Sequence, residues 1–287
     1  MSYDLIVVGG GFWGSAVTWL ARQRGLDTLL VDDGDTLGAS RNGAGLVSLG
    51  WYKQQTIQKM WPDWLRQGAA EEGLEWLQGI VGAVQTGEWF SSYSRPEPVY
   101  RPDLWLVDPA AVITPPDARE HVNRVLLDNQ GWAVQVDEGP TWVTPRVVIA
   151  AGVYSDFLLS ASGLPTVGVK LLMGSAVVAQ GSIEVPHTYM PRPYTHYTVR
   201  PWGESMIRAG DTVERKLNYK GQELIDCMHR VCPDARVVST QRGARPICRW
   251  FTVKEVAPGL VVATGGHRVG LALSYPIALR VLEVLEC

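Results

Sequence analysis

The chain has 287 residues, long enough for one large domain or two smaller ones, and 46% of them are hydrophobic, as in an ordinary globular core. A net charge of -3 with dispersed basic residues gives no electrostatic footprint for nucleic acid or an acidic membrane and points to a small-molecule ligand. The N-terminus has no basic segment leading into a long apolar one, and no apolar run reaches membrane-spanning length. Cys227, Cys232, Cys248 and Cys287 fit neither metal-ligand spacing nor a disulfide framework, so a reducing, cytoplasmic setting and no metal are expected.

Leu5-Ile6-Val7-Val8 reads as a strand and runs into Gly9-Gly10-Gly11-Phe12-Trp13-Gly14. Ala16, Val17, Leu20 and Ala21 recur as on a helix, and Thr28 to Val31 form a second strand ending at Asp32 and Asp33. In this context Gly9 permits the tight turn, Gly11 lets backbone approach a pyrophosphate, Gly14 lets helix and sheet close up, and Asp32 accepts hydrogen bonds from a ribose. The helix N-terminus supplies N–H groups and a favourable dipole for the phosphates. The alternative is a glycine turn with no ligand.

Gly34 to Leu46 is too rich in small residues for regular structure and reads as a loop held near something. Gln54 to Val84 has helical spacing, Ser91 to Pro102 reads as connection, and Leu104 to Val107 as a short strand. Asp108 to Val112 could start a helix that Pro115-Pro116 would stop. Short strands follow over Val122 to Leu127, Trp132 to Val136 and Thr141 to Val143, and then the continuous apolar run Arg146 to Ala151, ending at Gly152.

Val167 to Thr212 reads as mostly antiparallel, with strands over Gly174 to Ala179, Tyr194 to Arg200 and Ser205 to Ala209. Gly221 to Cys232 is helical, Gly259 to Gly266 repeats the strand-to-glycine pattern, and Leu271 to Leu285 closes the chain as a helix. Three apolar strands thus end in glycine, at Gly9, Gly152 and Gly265, and ligands of parallel sheets bind at such carboxyl ends. The 12 tryptophans, among them Trp51, Trp61, Trp64, Trp76, Trp89 and Trp105, are either core packing or the walls of an aromatic substrate pocket.

The loop and its acid fit NAD or FAD. Ser40-Arg41-Asn42-Gly43-Ala44-Gly45-Leu46, with Ala150-Ala151-Gly152 and Gly265-Gly266-His267-Arg268-Val269-Gly270-Leu271, resembles the flavoproteins of the D-amino-acid oxidase, glycine oxidase and sarcosine oxidase family. The resemblance implies an α/β protein: a Rossmann-like FAD-binding domain, discontinuous over about 1–50, 120–165 and 240–287, and a smaller antiparallel substrate domain over about 51–119 and 166–239. It implies FAD along those three segments, and hydride transfer from the C–N bond of an amine or amino acid, with oxygen or another acceptor reoxidising the flavin. His196 to Pro201 looks like the family segment that sets a tyrosine, here Tyr197, over the flavin. Arg242 to Pro246 looks like its Gly-x-Arg-Pro turn, whose arginine, here Arg245, holds a substrate carboxylate, and Arg268 falls where some members place a second one. A bidentate guanidinium suits a planar carboxylate.

Each of these residues also has a structural alternative: an ion pair for Arg245, with Arg242 competing for its role, a satisfied core hydroxyl for Tyr197, and a packing role for His267. Cys248 lies near the position where sarcosine oxidase relatives bond the flavin, but its interval to Gly265 is shorter, and it reads as an inert buried thiol. The chain is shorter than typical members and lacks the long helix after Asp108. A flavin-binding subunit or redox protein of a larger complex, associated with a partner subunit or a second copy and with no amino-acid oxidase activity of its own, is therefore the competing hypothesis, and an NAD-dependent dehydrogenase a third.

Overall fold

Leu5–Val8 form β1, and the strand is apolar throughout because alternate side chains feed two different cores. In the computed structural model, which describes residues 2–35, 37–43, 45–48, 65, 68–137, 139–192, 195–210, 221–248, 251–266 and 270–287, β1 is interior to a five-stranded sheet. Its parallel neighbours are β2 (Thr28–Val31) and β11 (Val147–Ile149), and β18 (Leu260–Thr264) continues the parallel set beyond β11. An antiparallel β17 (Thr252–Ala257) forms one edge and β2 the other.

Leu5, Val7, Val148 and Val261 point into a core shared with helices α1 (Phe12–Gln23), α2 (Ala69–Val81) and α6 (Ser274–Val284). Ile6, Val8, Val147 and Val262 point the other way, against an antiparallel sheet of β8 (Val122–Asp128), β9 (Gly131–Val136) and β10 (Trp142–Thr144) and against α4 (Ser155–Ala161). The parallel sheet is thus covered on both faces, as its composition requires. Truncating a fully buried residue here, Leu5 to Ala, removes packing worth about 2–5 kcal/mol.

A second sheet has seven strands in the order β16 (Arg236–Ile247), β12 (Lys170–Gln180), β15 (Met206–Gly210), β14 (Thr195–Pro201), β13 (His187–Arg192), β5 (Glu88–Ser92) and β6 (Arg95–Arg101). All its pairings are antiparallel except that of β13 with β5. Helix α5 (Gly221–Val231) covers one face, burying Leu224 and Met228 against Val177, Val199, Ile207 and Ala209. A small sheet of β3 (Leu46–Ser48), β7 (Leu104–Leu106) and β4 (Val84–Gln85) lies beside the first core, which takes in Val47, Leu65, Leu74 and Leu77.

Several local expectations are corrected. Ser91 to Pro102 is not a connection but the hairpin of β5 and β6, and Pro96 and Pro98 are tolerated because β6 is an edge strand. Arg242 to Pro246 is not a turn but part of β16, with Arg245 opposite Leu172 and Pro246 opposite Leu171, again on an edge. Of the helix expected over Gln54 to Val84, Ala69–Val81 is formed, while 54–64 and 66–67 lie outside the described residues. Among the tryptophans, Trp132 and Trp142 are core residues, and Trp76 stacks on Tyr275 with centroids 5.9 Å apart, while Trp51, Trp61 and Trp64 lie outside the described residues.

Candidate active site

The carboxyl ends of β1, β2, β11 and β18 converge on a cavity of about 580 Å³, within the usual range for cofactor and small-molecule sites. Gly9 turns the chain out of β1 at φ +102°, and a Cβ there would lie 2.5 Å from the Ala150 carbonyl oxygen. A Cβ on Gly14 would lie 1.8 Å from the Gly9 oxygen, so this glycine does not line the cavity but lets α1 close on the loop. Gly11 faces the cavity, where an added Cβ would meet only the Ser40 side chain, 3.0 Å from Oγ, and that hydroxyl accepts the Phe12 N–H at 2.9 Å.

Asp32 is the organising anion of this end. Its Oδ2 accepts the Gly10 N–H at 2.6 Å, and its Oδ1 accepts the Gly34 N–H at 2.9 Å and Arg41 Nη2 at 2.5 Å. One Oδ2 lone pair stays available for a ribose hydroxyl. Asp33 pairs with His121, whose Nδ1 lies 3.1 Å from the carboxylate.

Trp13 is buried, lines the cavity, and donates Nε1–H to the Gly270 carbonyl at 2.8 Å. A Cβ on Gly266 would press to 2.9 Å on its ring. Trp13 therefore fixes the Gly265–Gly266 and Gly270–Leu271 ends of the C-terminal loop onto α1. Thr264 Oγ1 donates to the Gly152 carbonyl at 3.0 Å, joining the second and third glycine-ended strands.

Of the remaining expected residues, Arg41, Gly43, Gly45 and Leu46 line the cavity, as do Ala150 to Gly152. Asn42 does not; it borders a separate small void. Ala44, His267, Arg268 and Val269 lie outside the described residues. Arg245 lines the cavity from β16. Tyr197 is placed elsewhere: it shares the strand parity of Val199, so it faces α5, where its hydroxyl donates to the Glu223 carboxylate. Cys248 is buried off the cavity, and burial pushes its thiol pKa up, as an inert thiol requires.

Glu120, His121 and Val122 line the cavity without having been foreseen. They arrive because Ala118 bridges Val31 and accepts the Asp32 N–H at 3.1 Å, while Asp117 caps the Leu30 N–H at 2.7 Å. Nothing local in the sequence marks that pairing. Two buried arginines behind the Asn42–Gly45 loop, Arg200 and Arg208, were also missed, although charges alternating with apolar residues on β14 and β15 were a visible signal.

The glycine cradle, the α1 N-terminus, Asp32 and the converging strand ends together fit a dinucleotide with an extended second half. The model of the family described as FAD-dependent oxidoreductase, DAO, matches residues 4–103 and 117–283. The chain belongs to this family. It is an FAD-dependent oxidoreductase, and the interruption of the match coincides with a stretch whose only helix among the described residues is the four-residue α3 (Pro109–Val112). No curated protein matches the sequence. Among solved structures, the glycine oxidase of Geobacillus kaustophilus is 20% identical with a TM-score of 0.72, covering 99% of this chain and 95% of that one. An iminodiacetate oxidase from a Chelativorans species is 16% identical with a TM-score of 0.76, covering 98% and 95%. A Proteus vulgaris L-amino acid deaminase lacking its specific insertion is 16% identical with a TM-score of 0.77, covering 99% and 90%. The chain thus aligns with most of the length of each.

Among the described residues no helix is long and apolar enough to cross a membrane, and no cluster of three or more metal-ligating side chains occurs.

Proposed function

We propose that this flavoprotein oxidises the C–N bond of an amine or amino acid, with Arg245 holding the substrate carboxylate. The observation that carries this is the position of Arg245: a guanidinium on β16 facing the same cavity as the C-terminal glycine loop, where the family resemblance sets the flavin ring. The names of the three structural neighbours, all oxidases or deaminases of amino or imino acids, support the same substrate class.

When bound, FAD supplies the two-electron acceptor for the hydride. The protein then has two tasks, holding the cofactor and aligning the substrate. Gly9, Gly11 and the start of α1 would take the pyrophosphate, Asp32 the ribose, and Gly43 to Leu46 with Gly265 to Leu271 the ring. A charge-assisted, bidentate grip by Arg245 would orient the amine carbon, which is the main requirement of this chemistry. In this proposal the cofactor side is about 1–50, 120–165 and 240–287, and the seven-stranded sheet is the substrate side.

Anaerobic mixing of the yellow holoprotein with a panel of amines and D- and L-amino acids tests it: bleaching of the flavin by one of them is expected, and Arg245→Met should abolish bleaching by carboxylate substrates alone. Full bleaching in that variant would move the role to Arg242 or Arg268. A subunit without amine chemistry of its own would leave the flavin oxidised across the whole panel. The near-complete alignment with the neighbours takes away the main motive for that alternative.

A further inference from the structure

Arg200 and Arg208 stand directly opposite each other on β14 and β15, and both are buried, with relative exposures of 5% and 1%. Strand alternation puts them on the sheet face opposite α5, with Thr198, Gly210, Gln241 and Arg245. Two like charges paired across a sheet and desolvated are costly unless an anion or a full set of acceptors meets them.

The acceptors present are few. Arg208 Nη2 donates to the Asn42 carbonyl at 2.6 Å, and Arg200 Nη1 reaches the Pro201 carbonyl at only 3.5 Å. Nε and Nη2 of Arg200, and Nε and Nη1 of Arg208, are buried and have no hydrogen-bond partner among the described residues. The Trp202 ring lies 4.2 Å from the Arg200 guanidinium carbon and 4.5 Å from that of Arg208, which offsets charge but accepts no directed bond. Asp108 is the opposing charge felt by Arg200, yet it caps α3 through the Ala110 N–H. Burial and the neighbouring Arg208 pull the Arg200 pKa down to about 9, and burial pulls Arg208 down to about 10.

Beside Arg208 is a void of about 20 Å³, room for one oxygen-sized atom, bordered by Asn42, Ser175, Gln241 and Arg245. Arg245 and Ala39 border both this void and the large cavity, so the two spaces are adjacent there. Arg208 and Arg245 therefore border one void, with Arg200 opposite Arg208 on the neighbouring strand. A single carboxylate on Arg245 would leave two buried charges unanswered.

We propose that Arg208, backed by Arg200, receives a second acidic group of the substrate, so that the enzyme acts on an amine or amino acid carrying two carboxylates. One carboxylate is held by Arg245, and the other lies at the mouth of the void with one of its oxygens inside, facing Arg208. This rests on amine oxidation for the reaction, but the anion site stands on its own geometry.

The test uses holoenzyme and ligands with no amine to oxidise: acetate, malonate, succinate and chloride, titrated against the absorption spectrum of the bound flavin and against the thermal midpoint. Malonate or succinate should bind at least 30-fold tighter than acetate. Arg208→Met should bring the ratio to within about threefold, and Arg208→Lys, which keeps the charge, should restore part of it. Equal affinities for mono- and dicarboxylates in the wild-type protein overturn the proposal, and so does an unchanged ratio in Arg208→Met. Chloride competing as well as succinate also overturns it, by identifying a structural halide site. If Arg208→Met does not fold, the wild-type ratio alone decides. Tight succinate binding with no amine bleaching the flavin would sink the reaction and leave the site standing.

Discussion

Trp13 and Gly270, 257 positions apart, are joined by an indole N–H donated to a carbonyl at 2.8 Å. The bond spans from the first turn of the first helix to the last glycine loop, and it shapes one wall of the cofactor cavity. A net hydrogen bond of this kind contributes about 0.5–1.5 kcal/mol. Trp13→Phe keeps an aromatic ring while removing the donor, so the Kd for FAD, measured by reconstituting apoprotein and following flavin fluorescence, should rise roughly fivefold.

Gly9 and Gly14 are sterically exclusive positions. An alanine at Gly14 puts its methyl 1.8 Å from the Gly9 oxygen, and one at Gly9 meets Ala150 at 2.5 Å with φ at +102°. Overpacking costs typically about 1–3 kcal/mol, so each variant should lose roughly 5 °C in thermal midpoint and purify largely colourless. Gly25, where an added Cβ would meet nothing within 4 Å but φ is +81°, is the control: Gly25→Ala should lose some stability and keep its flavin.

Asp32→Asn tests the adenosine end. The change keeps an oxygen but removes the charge that holds Arg41 Nη2 and two backbone N–H groups. Charge-assisted bonds are about twice as strong as neutral ones, so FAD affinity should fall on the order of tenfold, read by isothermal titration of apoprotein.

Glu88 gives a pH signature remote from the cavity. It is 2% exposed, and burial raises its pKa above 4.5 despite the Thr188 hydrogen bond and the Arg101 charge. The folded protein thus binds this proton more tightly than the unfolded chain, and the contribution of Glu88 to stability declines as pH rises from 4.5 through the raised value. Glu88→Gln should be more stable than wild type at pH 7, and the advantage should vanish below pH 4.5, as followed by denaturant midpoints.

The cofactor half was legible because its signals are local. An apolar run, three glycines at fixed spacing, a helical period and a strand ending in Asp32 each constrain their neighbours within about thirty residues. Glu120 and His121 were hidden because only the bridge between Val31 and Ala118 brings them in, a pairing across 87 positions. The resemblance of Arg242 to Pro246 to the family's Gly-x-Arg-Pro turn places Arg245 in a turn. The structure shows an edge strand, where a missing N–H costs nothing. The family resemblance of His196 to Pro201 sets Tyr197 over the flavin, whereas strand parity decides its direction and turns it towards Glu223. The same parity singles out Arg200 and Arg208.

The twelve-residue strand β16 touches both halves of the molecule: Ala244 donates to the Leu37 carbonyl at 2.8 Å and bridges Gly38, at the head of the loop that carries Ser40 and Arg41. The next residue along the strand is Arg245. Under the role proposed for Arg245, a change that unseats that loop is expected to weaken substrate binding as well as FAD binding, so that the two affinities are thermodynamically linked rather than independent.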